Sequence, residues 1–237
     1  MELRIKDCDF AAGKVLLIDK PYGWTSFDVV AKVRNLIRKY TGQKVKVGHS
    51  GTLDPLATGL MVLGTGKKTK FLSQAIDWDK EYIATIEFGK TTPSLDAGTE
   101  VERVCEYEHI DEELVRKTVE KFLGKQMQLP PKFSAKKVGG RRAYSLARRG
   151  QEVELKPVEV HFFEIEILEL NLPKELKLRL LVSKGTYIRA FVRDFAEAMG
   201  SCAYLTGLVR TKVGPYKLEE AIGIKDFEIE LETKCKK

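Results

Sequence analysis

Between Ser26 and Gly42 the apolar residues Val29, Val33, Leu36, Ile37 and Tyr40 recur at helical spacing, with polar side chains between them. Ser26 is placed to cap that helix and Gly42 to stop it. A second helix is read in IDEELVRKTVEKFLG, residues 110–124, with Asp111 as cap, Ile110 and Val115 spaced for a hydrophobic staple, and Gly124 beyond the end. Elsewhere the period shortens to two. YIATIEF at 82–88, HFFEIEILEL at 161–170 and LKLRLLVS at 176–183 alternate apolar with polar residues, as strands with one buried face do. The helices are too few and too irregularly placed for a repeating βαβ unit. The pattern therefore predicts an α+β fold with a mixed, largely antiparallel sheet flanked by helices.

At 237 residues the chain can hold one large domain or two small ones, and nothing in the pattern demands a second. No apolar run approaches the roughly 18 residues of a membrane span, and the start, MELRIKDCDFAAGK, has no apolar signal-peptide core. A cytoplasmic protein is expected. Cys8, Cys105, Cys202 and Cys235 are widely spaced without a Cys-x-x-Cys pair, and His49, His109 and His161 are equally scattered. Reduced thiols and no metal site are the expectation.

The formal net charge of +7 suggests a polyanionic partner. Its distribution sharpens the point. Residues 121–151, KFLGKQMQLPPKFSAKKVGGRRAYSLARRGQ, carry nine Lys and Arg and no acid. Phe133 and Tyr144 interleave with those cations, as a surface that stacks bases and neutralises phosphates requires. A solvated basic loop would look the same. Pro130, Pro131, Gly139 and Gly140 mark an irregular projection, read as an inserted arm at about 121–151.

Familiar phosphate-binding and catalytic motifs fail. GTGKKT at 64–69 lacks the third glycine of a dinucleotide loop, and no P-loop, Gly-x-Ser-x-Gly elbow or His-Glu-x-x-His helix is present. What stands out is KVGHSGTLDPLATGLMVLGTG, residues 46–66, a glycine-dense frame around one carboxylate, Asp54. Pro55 steers Asp54 toward an extended backbone and offers it no N–H. On local sequence a lone Asp in such a loop is most often a turn former.

GHSGTLDPLATG resembles the signature of the tRNA pseudouridine-55 synthase family, the TruB type. The likeness continues in order through DKPYGWTS at 19–26, DKEY at 79–82, PPKFSAKK at 130–137, SKGTYIRAFVRD at 183–194 and LTGLVRTKVGPY at 205–216. It implies a pseudouridine synthase-like fold in a single catalytic domain, residues 1–237, without the small C-terminal PUA domain of longer relatives. It implies an RNA isomerase that flips uridine 55 out of the tRNA T loop and reattaches the uracil through C5, with no cofactor. Asp54 then corresponds to the catalytic nucleophile, and Arg189 to the arginine that pairs with it. Tyr82 corresponds to the tyrosine that stacks on the base near C5. His49, Tyr187 and Leu208 match residues that order or line the base pocket, and Lys20 is assigned to the pocket rim. Lys136, Lys137, Arg141 and Arg142 of the arm are expected on phosphates. The partner implied is tRNA, chiefly its T arm, bound by a monomer with no membrane and no obligate protein partner.

Without the resemblance each residue has an ordinary reading. Arg189 could be a surface charge, Tyr82, Tyr187 and Leu208 core, His49 a plain loop residue, and Lys20 a phosphate contact or solvated charge. One departure lies after Gly89, where Pro93 stands in place of the family's earlier acid while Asp96 is kept. A basic RNA-binding protein without chemistry, and an isomerase for another RNA, remain as alternatives.

Overall fold

The computed structural model describes residues 7–133, 137, 138, 141, 142 and 155–235, the four isolated ones by their main chain alone. In chain order the elements are β1 (Val15–Lys20), α1 (Ser26–Thr41), β2 (Val47–His49), β3 (Thr58–Thr65), α2 (Leu72–Ala75), β4 (Lys80–Phe88), β5 (Lys90–Thr91), β6 (Arg103–Val104), α3 (Glu112–Phe122) and β7 (Gly124–Gln128). There follow β8 (Lys137–Val138), β9 (Arg141–Arg142), β10 (Val158–Asn171), β11 (Glu175–Val182), α4 (Ile188–Ala198), β12 (Ala203–Val213), β13 (Tyr216–Lys217), β14 (Ile222–Gly223) and α5 (Ile224–Cys235). Helices and a mixed, mostly antiparallel sheet make the fold α+β, as the periodicity predicts. Among the described residues no helix is long and apolar enough to cross a membrane.

Two compact units divide the chain, residues 1–82 with 209–237 and residues 83–208. In the first, the strand order is β14-β1-β3-β12. β1 runs antiparallel to β3, with Ile18 opposite Met61, while β12 joins β3 in parallel through Val209 opposite Thr58 and Arg210 opposite Gly59. Leu60, Val62 and Val213 form a core patch on which Leu17, Trp78 and Tyr216 pack. The cap of α1 differs from expectation. Thr25, not Ser26, is the N-cap, because Asp28 sits where its carboxylate can accept from the Thr25 N–H while the Thr25 hydroxyl accepts from the Asp28 N–H. Ser26 is thereby free for another partner. Gly42 ends the helix as expected, at φ 72°, donating to Arg38 O.

In the second unit the order is β12-β4-β11-β10-β7. Long antiparallel pairing of β10 with β11 places Ile165 opposite Leu180. Asp111 caps α3 by accepting from the Leu114 N–H at 2.8 Å, and Ile110 and Val115 are both buried, as the staple predicts. Behind α4, Phe122, Phe162, Phe191 and Phe195 pack with ring centroids 5.0–5.5 Å apart. Such tilted and edge-on rings add about 0.5–1.5 kcal/mol per pair to their burial. They fix α4, whose N-cap is Tyr187 and whose first turn carries Arg189.

Reduced thiols were the expectation for all four cysteines, and the structure corrects it. Cys8 is bonded to Cys235 and Cys105 to Cys202, with Cα atoms 5.7 and 5.8 Å apart. Sequence spacing misleads here because proximity is made by the fold. Part of the cation-rich stretch is also regular: residues 121 and 122 end α3, and 124–128 form β7, paired with β10. Further on, β8 and β9 pair antiparallel, Lys137 opposite Arg142. Lys136 lies outside the described residues.

Candidate active site

Asp54 sits in the loop between β2 and β3, and both of its neighbours are tied to the stretch that runs from the end of β1 into the first residue of α1. On one side, the Ser26 hydroxyl accepts from the Leu53 N–H at 2.8 Å and donates to Leu53 O at 3.0 Å. On the other, Pro55 O accepts from the Gly23 N–H at 2.9 Å and from Lys20 Nζ at 3.1 Å. The Asp54 carbonyl itself takes the Ala57 N–H at 3.1 Å. A half-buried carboxylate is thus presented by a loop with little freedom to move. Fixed presentation of a reacting group is a large part of what an active site supplies.

Lys20 is not at a rim. Its side chain is fully buried, and Nζ donates to Pro21 O at 3.0 Å, Trp24 O at 2.6 Å and Pro55 O. A place on the pocket rim was expected because a sequence does not reveal three converging carbonyls. Burial pushes the ammonium down from its ordinary value to about 8; the nearby Asp54 charge works against that fall and the Arg210 charge adds to it. Lys20 therefore acts on the loop from beneath and is electrostatically coupled to Asp54.

Arg210 is a participant that the sequence reading missed. It is 1% exposed, with Nε donating to Leu60 O at 2.8 Å and Nη2 to Gly51 O at 3.3 Å, so it joins β3 to the loop that leads into Asp54. The available signal was an arginine at an inward position of an alternating strand. Gly59 makes the approach possible: its φ is +99°, and a Cβ there would stand 2.4 Å from Arg210 O. His49, half-buried at the end of β2, accepts the Gly51 N–H through Nδ1 at 3.2 Å. Tyr82 is 8% exposed, at an inward position of β4. These residues all belong to the first unit.

Tyr187, Arg189 and Leu208 belong to the second. The Gln128 amide brackets Tyr187, accepting its N–H at 2.8 Å and donating to its carbonyl at 3.1 Å. Leu208 is buried on β12. Arg189 is 5% exposed; Nη1 donates to Ser94 O at 2.8 Å and Nη2 to Phe133 O at 2.9 Å, while Nε lies 3.6 Å from the Asp96 carboxylate. Asp96 is held in turn by the Ser94 hydroxyl at 2.6 Å and the Gly98 N–H at 2.9 Å. The loop that departs from the family pattern at Pro93 thus grips the arginine through its main chain and its retained acid. Lys137, Arg141 and Arg142 lie in the β8–β9 hairpin.

Residues 38–188 match the model of the TruB family pseudouridylate synthases, N-terminal domain. The chain belongs to that family. A tRNA pseudouridine synthase B of Phocaeicola vulgatus is 52% identical over 220 residues, covering 92% of this chain and 93% of the relative. One of Bacteroides fragilis is 54% identical over 215 residues, covering 90% and 92%. Among solved structures, a chain of a Cbf5-Nop10-Gar1 complex superposes with a TM-score of 0.69 at 26% identity; the match spans 93% of this chain and 54% of that one. As a TruB family pseudouridylate synthase the protein is an isomerase, and the α+β fold is shared with pseudouridine synthases.

Proposed function

We propose that this synthase converts uridine 55 in the T loop of tRNA to pseudouridine, with Asp54 as the nucleophile. The observation that carries the reading is the clamping of Leu53 and Pro55 around Asp54, in a family member with curated relatives, 52 and 54% identical, that are named for tRNA. The target nucleotide leaves the stack to reach the carboxylate. The C1′–N1 bond breaks as Asp54 attacks C1′ or assists departure of the uracil. The base turns, a C1′–C5 bond forms, the C5 hydrogen leaves as a proton and N1 takes one up. Atoms and electrons balance without an oxidant or reductant. Tyr82 supplies a ring for the base near C5, His49, Tyr187 and Leu208 serve the flipped nucleotide, and Arg189, held by Ser94 O, Phe133 O and the Asp96 carboxylate, supplies the positive charge that complements Asp54. Lys136, Lys137, Arg141 and Arg142 neutralise T-arm phosphates. Residues 1–237 act as one catalytic domain, monomeric and cytoplasmic.

The test is release of tritium from tRNA carrying C5-tritiated uridine, followed by mapping of the new pseudouridine. Release confined to position 55, and lost by about a thousandfold or more in Asp54→Asn while tRNA still binds, is the expected result. Binding without release would leave an RNA-binding protein. Release from another position would leave an isomerase of different specificity.

A further inference from the structure

Two large aromatic side chains of the first unit are left in solvent beside the nucleophile loop: Tyr22 is 63% exposed and Phe27 66%. Burying such rings elsewhere would stabilise the fold. Their backbone is not loose. Tyr22 directly precedes Gly23, whose N–H binds Pro55 O, and Phe27 directly follows Ser26, whose hydroxyl binds both main-chain groups of Leu53. Lys20 fixes the same segment through Pro21 O and Trp24 O, and the Thr25–Asp28 capping box fixes its entry into α1. Each ring is therefore one residue from a contact to an immediate neighbour of Asp54.

We infer that Tyr22 and Phe27 are a stacking platform for the unpaired nucleobases on either side of the target uridine. This rests on the function proposed above. Taking one base out of a loop strips its two neighbours of a stacking partner. Exposed aromatic rings carried on a main chain that is tied to the neighbours of Asp54 can replace that face at small entropic cost, whichever bases are present. The net charge of +7 brings the RNA close by its phosphates, and the neutral rings then hold its bases. Recognition at this point is of planarity, not of charge or hydrogen-bond pattern.

The experiment compares the wild-type protein with Tyr22→Ala, Phe27→Ala, the double alanine variant, Tyr22→Phe with Phe27→Trp, and Tyr22→Leu with Phe27→Leu. The RNA is a T-arm stem-loop with 2-aminopurine flanking the target. The double alanine variant should bind about tenfold or more weakly, with lost quenching of 2-aminopurine and an unchanged salt slope, because stacking releases no counterions. The aromatic replacements should bind as wild type and the leucine pair should not. Thermal midpoints should be unaltered throughout, since the rings are already in solvent. Binding by the double alanine variant within twofold of wild type would overturn the inference. So would full binding by the leucine pair, or a lowered midpoint that showed the rings to be packing groups. If wild-type protein releases no tritium from this RNA or from tRNA, the proposed function falls and takes the platform with it. If it does release tritium and only the alanine variants behave as wild type, the platform alone falls.

Discussion

Ser26 and Leu53, 27 residues apart, share one hydroxyl between both main-chain groups of the leucine: the Leu53 N–H donates to it and Leu53 O accepts from it. Both residues are buried, so water cannot substitute for the hydroxyl. Ser26→Ala leaves a buried donor and acceptor unpaired next to Asp54. The expected cost is about 1–3 kcal/mol, or roughly 2–4 °C in thermal midpoint for each kcal/mol at this chain length. Turnover at saturating RNA should fall further than RNA affinity. Calorimetry and single-turnover kinetics check the two parts; unchanged stability would show that the bridge is dispensable.

Arg189 reaches Ser94 O, Phe133 O and the Asp96 carboxylate with different nitrogens of one planar group. A lysine keeps the charge but not the fork. Arg189→Lys should lower kcat by about a hundredfold, the scale of a misplacement near 1 Å, while KM for tRNA changes little. Asp96→Asn should show a smaller loss of the same kind. Turnover by Arg189→Lys at the wild-type rate would refute this.

Replacing Lys136, Lys137, Arg141 and Arg142 together with Gln removes four cations assigned to phosphates. The slope of log affinity against log salt should become shallower by roughly 3, at about 0.7–0.9 per phosphate contact. Chemistry at saturating RNA should change little. Filter binding over a range of salt concentrations measures the slope, and an unaltered slope would remove these residues from the RNA surface.

The pH dependence of stability should carry the mark of Lys20. Burial holds its ammonium at about 8 in the folded protein, below the ordinary value of 10.5. Below pH 8 both folded and unfolded chains carry this proton and the folded state bears the full cost of a buried charge. Between about 8 and 10.5 the folded state has released it while the unfolded chain still holds it, so the cost shrinks as pH rises. The stability of wild type minus that of Lys20→Met should therefore increase from pH 8 to pH 10. Urea unfolding of both proteins across that interval is the measurement; a flat difference would contradict the assignment.

What was legible in the chain was local. Helical spacing found α1 and α3, alternation found β4, β10 and β11, and Gly42 and Asp111 marked ends, because neighbours along the sequence determine these features. The cap of α1 slipped by one residue since Ser, Thr and Asp stand close together, and the reciprocal bonds of Thr25 with Asp28 decided among them. Residues whose roles depend on distant main-chain atoms were harder. Lys20 looked like a surface charge because nothing along the chain announces that Pro55 O will come within 3.1 Å of it. Arg210 was passed over although its inward strand position is visible, since its partners Leu60 and Gly51 lie about 150 residues away. The cysteine pairs are the same failure at greater range, Cys8 and Cys235 being 227 residues apart. Asp54 itself was singled out by family resemblance, not by physics, for a lone Asp before Pro has the same local signature in any turn.

Three oxygens converging on a positive charge, as Pro21 O, Trp24 O and Pro55 O do on Lys20 Nζ, form half of the coordination shell that a potassium or ammonium ion would take. Here the ion is leashed to β1 by its own alkyl chain. It cannot be diluted, exchanged or chelated, so this tie to the Asp54 loop does not draw on the monovalent salt of the medium. A synthase whose RNA arrives wrapped in counterions, and sheds them on binding, thus carries beneath its Asp54 loop one cation that the tide of released ions cannot displace.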